Sequence, residues 1–387
     1  MPTGKVSLWT IGREWSRIGV IGFGGPPAHI ALLRSLCVVN RQWLPASEFE
    51  DGIAATSLLP GPASTQLAIF CAWRLRGWLG AVIGGACFIL PGLVIILGLA
   101  SLFLSSDAPR WVEGVAEGAG AGVPAVAVSA ALALLPASWG RVKGSRGREH
   151  RWLVYLLAGG LCGAIAGQDL VFVLLACGLI EVGTQRRANR QEPAGGLAGA
   201  AVLAVALPSA GALGALVWVA FKVGALSYGG GFVIIPLMQH DAVTTYHWMT
   251  NAQFLNAVAL GQVTPGPIVQ TVAVVGYAAR GLTGGLLASL VAFAPSFAFV
   301  IVGAPHFDRL RRSTQVQAFL TGAGACAIGG IGGVVVPLTV GLPHLWNIGI
   351  TALAAAWLLG LRKGVVSALV GCGALGAVAA FAHAPLH

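Results

Sequence analysis

Residues 59–66 read LPGPASTQ and residues 264–271 read TPGPIVQT, so a Pro-Gly-Pro unit recurs after 205 positions. The similarity extends outward from these two stretches and needs no gap from Arg17 to Pro62. The matches at this spacing are Arg17 with Lys222, Gly19 with Gly224, residues 23–25 (FGG) with 228–230 (YGG), Trp43 with Trp248, Phe49 with Phe254 and Gly80 with Gly285. Chance rarely aligns a chain this well, so we predict two homologous halves.

Both halves place glycine and proline inside apolar stretches, where these residues interrupt a helix. In a lipid bilayer, a broken helix is tolerated only where it lines a protein cavity or an ion site. Paired breaks in two halves of one chain are typical of secondary transporters. The repeat therefore indicates a carrier with two-fold pseudosymmetry.

The composition places the chain in a membrane. Hydrophobic residues make up 56% of the chain and charged residues only 9%, whereas a soluble domain has about 25% charged residues. Long stretches that are almost free of charge occur at residues 77–104, 114–135, 197–219 and 281–302. Because about 20 apolar residues span a bilayer, we expect an all-α, multi-pass membrane protein surrounded by lipid.

The net charge of +10 does not indicate a nucleic-acid partner. The cations lie in short clusters between apolar stretches, at residues 141–151, 186–190, 309–312 and 362–363. This arrangement is typical of the cytoplasmic loops of membrane proteins. No two of the seven cysteines are spaced as CxxC. We therefore interpret the cysteines as small, buried hydrophobic side chains and not as metal ligands or a redox centre.

The basic clusters also predict a topology. With the clusters in the cytoplasm, we expect about six helical segments in each half and about thirteen crossings in total. The first four are predicted at residues 16–37, 50–72, 78–104 and 112–137. A linker span, 191–212, would separate an N-terminal repeat (1–190) from an inverted C-terminal repeat (213–387). The alternative is that the glycine and proline segments re-enter the membrane without crossing it, which would change the count.

The predicted helix breaks supply the candidate binding site. Successive N–H groups in a glycine turn form a concave anion site, and a helix that starts after Pro-Gly-Pro presents unpaired N–H groups and the positive end of its dipole. Neutral donors in the first turn suit an oxyanion that must bind and then leave. The predicted substrate-binding residues are Gly24, Gly25, Pro60, Gly61, Pro62, Ser64, Thr65, Gln66, Gly229, Gly230, Pro265, Gly266, Pro267, Gln270 and Thr271. In the competing interpretation, the glycines only allow close helix packing and the hydroxyls bond back to a kinked helix.

A few charged residues complete the candidate set. Arg17 and Lys222 occupy matching places before the glycine breaks, where a cation would attract an anion. Glu117 is the preferred carrier of a coupling proton, because ionisable residues inside a membrane are usually functional. His29 is interpreted as a polar residue packed within a helix.

The helices that lead into the two Pro-Gly-Pro units begin with sequences of the capping-box type. These are Ser47-x-x-Glu50 and Thr250-x-x-Gln253. We expect the Ser47 and Thr250 hydroxyls to cap the helices. Glu50 is therefore predicted to be a capping residue and not a proton carrier.

Two other classes of function fit parts of this pattern. A membrane-embedded enzyme would need an acidic metal-binding pair or a nucleophile with a base, and no DxxD, HExxH or GxSxG motif occurs. We therefore expect no enzyme activity, no catalytic residue, no cofactor and no metal. A passive anion channel stays open, because the same broken helices could line a pore; saturable flux that depends on a proton gradient would distinguish a carrier.

Taken together, the motifs resemble the chromate ion transporter family. The resemblance rests on FGGPPAHI (23–30), LPGPASTQLA (59–68), GGGFVIIP (229–236), the second Pro-Gly-Pro and Gly276-Tyr277, and it covers both halves. It implies a long-chain, two-domain bacterial member in the inner membrane that exports chromate from the cytoplasm at the expense of the proton motive force. Sulfate, which has the same shape and charge, is the alternative substrate, and a homodimer is left open. Asp241 and Tyr228 depart mildly from the family pattern, so the role of Asp241 is not transferred.

Overall fold

The computed structural model describes residues 6–57, 59–105, 108–165, 169–188, 211–227, 232, 234–304, 307 and 313–386. Across these ranges the chain is helical and contains no β-strand. The predicted linker span at 191–212, apart from its last two residues, and the predicted ligands Gly229 and Gly230 lie outside the described residues.

The first half contains eight described helices, several of them broken. They are α1 (Leu8–Ile21), α2 (Pro26–Arg34) with a π-helical extension (Ser35–Asn40), α3 (Ala46–Thr56), α4 (Ala63–Phe103), α5 (Arg110–Ala121), α6 (Val123–Gly140), α7 (Arg146–Ile165) and α8 (Leu170–Ala188).

The described helices of the second half follow the same order. They are α9 (Ala212–Leu226), α10 (Ile234–Gln239) with a π-helical extension (His240–Thr245), α11 (Asn251–Val263), a 3₁₀ turn (Ile268–Gln270), α12 (Thr271–Gly303), α13 (Thr314–Gly333), α14 (Val335–Val340), α15 (Leu345–Ala355) with a π-helical end (Ala356–Gly360) and α16 (Val365–Phe381).

Four helical stretches among the described residues are long and apolar enough to cross a membrane. They are Ala63–Phe103, Arg110–Gly140, Ile268–Gly303 and Thr314–Val340. Shorter apolar helices occur at Leu213–Leu226, Leu345–Gly360 and Val365–Phe381. The predicted all-α, multi-pass membrane fold is confirmed.

α4 and α12 each fold back on themselves. Arg76 and Gly77 have φ/ψ of −145°/26° and 60°/−150°, and Arg280 and Gly281 have −152°/28° and 63°/−154°. Glycine is needed at the second position because side chains avoid positive φ. Beyond the turn, a side chain on Gly80 would strike the Ala72 carbonyl in the preceding arm. Each helix is therefore a short arm (63–75; 271–279) joined by a tight turn to a long arm (78–103; 282–303).

The turn also corrects the sequence alignment. Gly80 lies against the backbone of the short arm and the Arg76 side chain, and Gly284 lies in the same way against Gly276 and Arg280. Gly80 therefore corresponds to Gly284, and its predicted match with Gly285 is wrong by one position. The second half has lost one residue between Pro-Gly-Pro and the turn.

The predicted crossing at 50–72 is wrong. Gly52 of α3 packs against the Phe70 side chain in the short arm of α4, and Glu48 forms an ion pair with Arg74. The two segments therefore run antiparallel, and the chain reverses between them at residues 60–62. The physical reason is that prolines and a positive-φ glycine stop one helix and start another in a new direction.

The predicted crossing at 16–37 is also wrong, because the chain reverses at the glycine break. Glu14 of α1 pairs with Arg41 at 3.0 Å. Trp15 stacks on Trp43 with ring centroids 6.5 Å apart. α1 therefore runs beside the segment that follows α2, and the break at residues 22–25 forms the tip of a helical hairpin.

Corresponding arms of the two halves pack in opposite directions. Gly85, early in the long arm of α4, lies against Phe297, late in that of α12. Gly285, early in α12's long arm, lies against Leu97, late in that of α4. A pair of corresponding helices that contact each other in this way is related by a two-fold axis perpendicular to both.

Candidate anion-binding site

The hairpin tips of one half meet the other half at the crossing of the long arms. The Gly266 N–H donates to the Gly22 carbonyl at 3.1 Å. A side chain on Gly61 would lie 3.2 Å from Ser296 Oγ and 3.3 Å from the Gly224 carbonyl. A side chain on Gly92 would strike the Pro265 carbonyl. Each Pro-Gly-Pro unit thus packs against the long arm of the opposite half.

The first Pro-Gly-Pro unit leaves the start of α4 open. Pro62 precedes the helix and offers no capping side chain, and the first intrahelical bond of this turn runs from the Gln66 N–H to the Pro62 carbonyl at 3.0 Å. The N–H groups of residues 63–65 therefore have no partner within the helix. Together with the helix dipole, they favour an anion at this end.

Buried hydroxyls without partners surround this helix start. Thr65 and Ser296 are 0% exposed, and neither hydroxyl has a hydrogen-bond partner among the described residues. Gln66 donates to the Pro60 carbonyl at 2.6 Å, which holds the Pro-Gly-Pro turn closed. A buried polar group without a hydrogen bond costs free energy, so these hydroxyls are suited to donate to a ligand that arrives later.

The second Pro-Gly-Pro unit has a similar backbone but different side chains. With the lost residue placed directly after Pro267, Ile268 and Val269 stand where the first half has Ser64 and Thr65. The helix opens with a 3₁₀ turn. Gln270 reaches across to the Ile89 carbonyl at 2.6 Å. The Thr271 hydroxyl bonds back to the Ile268 carbonyl at 2.8 Å. Gln270 therefore connects the two halves, whereas Thr271 bonds within its own turn.

His29 joins the glycine break to the start of α4, a position that the sequence did not predict. It is 0% exposed. One ring nitrogen lies 3.1 Å from Ser64 Oγ and the other 2.9 Å from the Gly22 carbonyl. The ring also meets Phe88 edge-on, with centroids 5.0 Å apart. The only signal in the sequence was its place in the first helical turn after the Gly-Gly-Pro-Pro break.

A cavity of about 370 Å³ leads to the first Pro-Gly-Pro unit. Pro26, Gly61 and Ala63 line one part, and Ser138 and Arg141 line another. α6 and α13 supply the walls, which are mostly Ala, Leu and Ile side chains. The cavity therefore connects the start of α4 with the beginning of the basic loop at 141–151.

The predicted anion-attracting pair lies in two unlike environments. The Arg17 side chain is 72% exposed and 4.0 Å from Glu14. Lys222 is buried and donates to Asp241. Lys222 is thus already neutralised by a carboxylate, whereas Arg17 lies at the surface. Arg17 and Lys222 therefore occupy matching positions in the sequence but have different surroundings in the structure.

Glu117, the predicted proton carrier, is a buried residue of α5. It accepts a hydrogen bond from Asn347 at 3.0 Å and lies 3.9 Å from His344. Both partners belong to the start of α15, so the carboxylate lies where α5 packs against the second half. Its place in a proton path stays a prediction.

One predicted helix cap is confirmed and the other is wrong. Thr250 and Gln253 form the full capping box. At the corresponding place, α3 starts at Ala46 after Pro45 and has no side-chain cap. Glu50 instead pairs with Arg34 of α2 at 3.2 Å, which ties the two hairpins of the first half together.

Comparison with known proteins identifies the family. The model of the chromate transporter family matches residues 9–182 and 214–377. This chain belongs to the chromate transporter family. As a family member it is a membrane transporter and not an enzyme.

Curated relatives of this chromate transporter family member extend over most of its length. A chromate transport protein of Cupriavidus metallidurans is 32% identical over 331 residues, which cover 83% of this chain and 80% of the relative. A probable chromate transport protein of Synechococcus elongatus is 28% identical over 371 residues, 92% of this chain and 91% of the relative. A chromate transport protein of Pseudomonas aeruginosa is 30% identical over 336 residues, 83% and 79%. No solved structure matches the chain.

Proposed function

We propose that this protein carries chromate across the membrane and binds it at the start of α4. The observation that carries the proposal is an uncapped helix start at the end of a cavity that Gly61 and Ala63 line. Two buried hydroxyls, Thr65 and Ser296, lie near this helix start and have no partner among the described residues. The names of the relatives, which are chromate transport proteins, support the choice of anion.

The chemistry of the site suits an anion that has to leave again. Chromate offers four acceptor oxygens, and the backbone amides and the hydroxyls of Ser64, Thr65 and Ser296 are neutral donors. Hydrogen bonds to a charged group contribute about 1.5–3 kcal/mol each. Several such bonds bind the anion, whereas a fixed, buried cation would bind it so tightly that it would dissociate slowly.

Inverted halves would allow the site to open to each side in turn. Two features support this part of the proposal: the antiparallel packing of the long arms of α4 and α12 and the basic clusters at 141–151 and 362–363. With those clusters in the cytoplasm, the turn at Arg76 faces the cytoplasm and the corresponding turn at Arg280 faces outward. The cavity beside Arg141 is then the cytoplasmic route to the site.

The direction we propose is export, driven by the proton motive force. The cell interior is negative, and each charge that moves across 100 mV is worth about 2.3 kcal/mol. A dianion that leaves therefore gains roughly twice that amount from the electrical component alone. Glu117 is our candidate for an additional coupling proton.

Uptake of labelled chromate into everted vesicles tests the proposal. We expect saturable uptake that falls when the electrical gradient is collapsed and is retained, at reduced rate, in excess sulfate. Complete loss of chromate uptake in excess sulfate, with sulfate itself transported faster, would reassign the substrate. Flux that rises linearly with concentration, without saturation, would contradict a carrier.

A further inference from the structure

His29 occupies the junction between the glycine break and the anion-binding helix start. Its two ring nitrogens contact groups on either side of that junction, Ser64 Oγ at 3.1 Å and the Gly22 carbonyl at 2.9 Å. The side chain is 0% exposed. A titratable group therefore lies one hydrogen bond from a residue of the first turn of α4.

The hydrogen-bond partners of the His29 ring and the aromatic ring that it contacts carry no charge. The glycine break contributes the Gly22 carbonyl, and α4 contributes the Ser64 hydroxyl and the Phe88 ring. On its own helix, the nearest charge is Arg34, which is paired with Glu50 at 3.2 Å. A proton on this imidazole would thus be a buried positive charge without a counter-ion, which is unfavourable unless an anion is placed nearby.

Protonation would also change what Ser64 can donate. The Gly22 carbonyl is an acceptor only, so the ring nitrogen that faces it carries a hydrogen, and the nitrogen that faces Ser64 accepts from the hydroxyl when the ring is neutral. A proton from solution on that nitrogen reverses this bond, and Ser64 Oγ becomes the acceptor. The hydroxyl hydrogen of Ser64 is then released to donate to an oxyanion at the start of α4.

We infer that His29 binds a proton together with the oxyanion, so that the two ligands bind cooperatively at one site. This inference rests on the proposed function. The bound proton gives the anion a positive counter-charge, and the anion gives the imidazolium its counter-ion. Each ligand therefore raises the affinity of the protein for the other by the same factor. The loaded carrier then moves one net negative charge per chromate, so the membrane potential still drives export, while the pH component of the proton motive force opposes the outward movement of the bound proton.

Binding to the purified, full-length protein tests this inference. Sulfate serves as the probe next to chromate, because sulfate stays a dianion at neutral pH whereas chromate itself takes up a proton. We expect the wild-type affinity for sulfate to fall by up to roughly tenfold for each pH unit above the pKa of the imidazole. Addition of sulfate to a weakly buffered sample should cause proton uptake that approaches one per bound anion.

The matched variant is His29→Gln, which keeps a donor and an acceptor but does not titrate. We expect it to bind sulfate with an affinity that no longer changes with pH and to take up no proton. Ser64→Ala is the second variant: it keeps the imidazole, so binding should weaken but still depend on pH.

Two results would overturn the inference: the same pH dependence in wild type and His29→Gln, or no proton uptake when wild-type protein binds sulfate or chromate. The second measurement needs no variant, so it decides the matter even if His29→Gln does not fold. A wild-type protein that binds and transports neither anion would instead contradict the proposed function.

Discussion

The two Pro-Gly-Pro units have nearly the same backbone and opposite chemistry. Gly61 and Gly266 both adopt positive φ, 116° and 97°, and both units lie against the long arm of the opposite half. The first unit is followed by Ser64, which contacts His29, and by Thr65, whose buried hydroxyl has no partner among the described residues. The second unit is followed by Ile268 and Val269. The backbone pseudosymmetry is therefore kept at the two units, and the side chains make the candidate site one-sided.

The loss of one residue explains how the second unit became a contact. The 3₁₀ turn at Ile268–Gln270 takes up the shorter connection, and it brings Gln270 to the Ile89 carbonyl of the other half. Gln66, its counterpart, stays within its own turn and bonds to Pro60. The second unit thus adds a side-chain hydrogen bond between the halves, while the first unit lines the cavity.

The largest expected contrast concerns sidedness. On a background without the seven native cysteines, a thiol at Arg76→Cys should react with a membrane-impermeant maleimide only from the cytoplasmic side, and one at Arg280→Cys only from outside. The reason is that the two turns correspond in inverted halves. Ser145→Cys, in the basic loop, is the cytoplasmic reference. Labelling of both turns from the same face would refute the inversion.

The second contrast compares the glycines at the two tips. Gly61→Ala should abolish transport, because the added methyl would meet Gln66, Ser296 and the Gly224 carbonyl. In Gly266→Ala the nearest side-chain atom lies 3.4 Å away, so only backbone strain of about 1–3 kcal/mol is expected. Initial rates of chromate uptake into everted vesicles, normalised to protein in the membrane, measure both. Equal loss in the two variants would show that the tips have equal roles.

The third contrast concerns the two cations. Lys222→Gln would leave the Asp241 carboxylate buried without its partner, which costs about 3–5 kcal/mol. Arg17→Gln should hardly change stability, because the Arg17 side chain is 72% exposed, and should weaken anion affinity only at low salt. Thermal unfolding in detergent measures the stabilities. The double change Lys222→Gln with Asp241→Asn should regain much of the loss; a double variant as unstable as Lys222→Gln alone would argue against the ion pair.

The smallest contrast exchanges the side chains at one matched position. Thr65→Val removes a hydroxyl and keeps the shape, so the KM for chromate should rise roughly tenfold, equivalent to one hydrogen bond to a charged ligand. The reverse change, Val269→Thr, should leave KM within about twofold of wild type, because that unit holds the halves together. A larger rise for Val269→Thr than for Thr65→Val would place the anion at the second unit.

The sequence predicted which segments form the candidate site, but not which side chains contact those segments. Pro-Gly-Pro inside an apolar stretch indicated helix starts with free amides, and Thr65 and Gln66 lie there as predicted. The sequence did not predict roles for Ser296 and His29. Ser296 contacts the first unit because α4 crosses α12, and His29 resembles an ordinary residue packed within a helix. The ion pair of Lys222 was not predicted for a related reason: Asp241 lies on the far side of the glycine break.

The sequence alone is sufficient to predict an all-helical membrane protein with two similar halves and helix breaks at defined positions. These features depend on hydropathy, charge clusters and helix-breaking residues. Their effects extend over short distances along the chain, so the sequence predicts them directly. That the breaks form hairpin tips and not crossings, and that corresponding arms run antiparallel, became visible in the three-dimensional fold alone. The fold also shows that the Thr65 hydroxyl has no partner among the described residues, whereas Gln270 bonds to the opposite half. These features depend on which distant residues share a surface, such as Gly85 with Phe297 and Gly61 with Ser296, and local pattern carries no information about that choice.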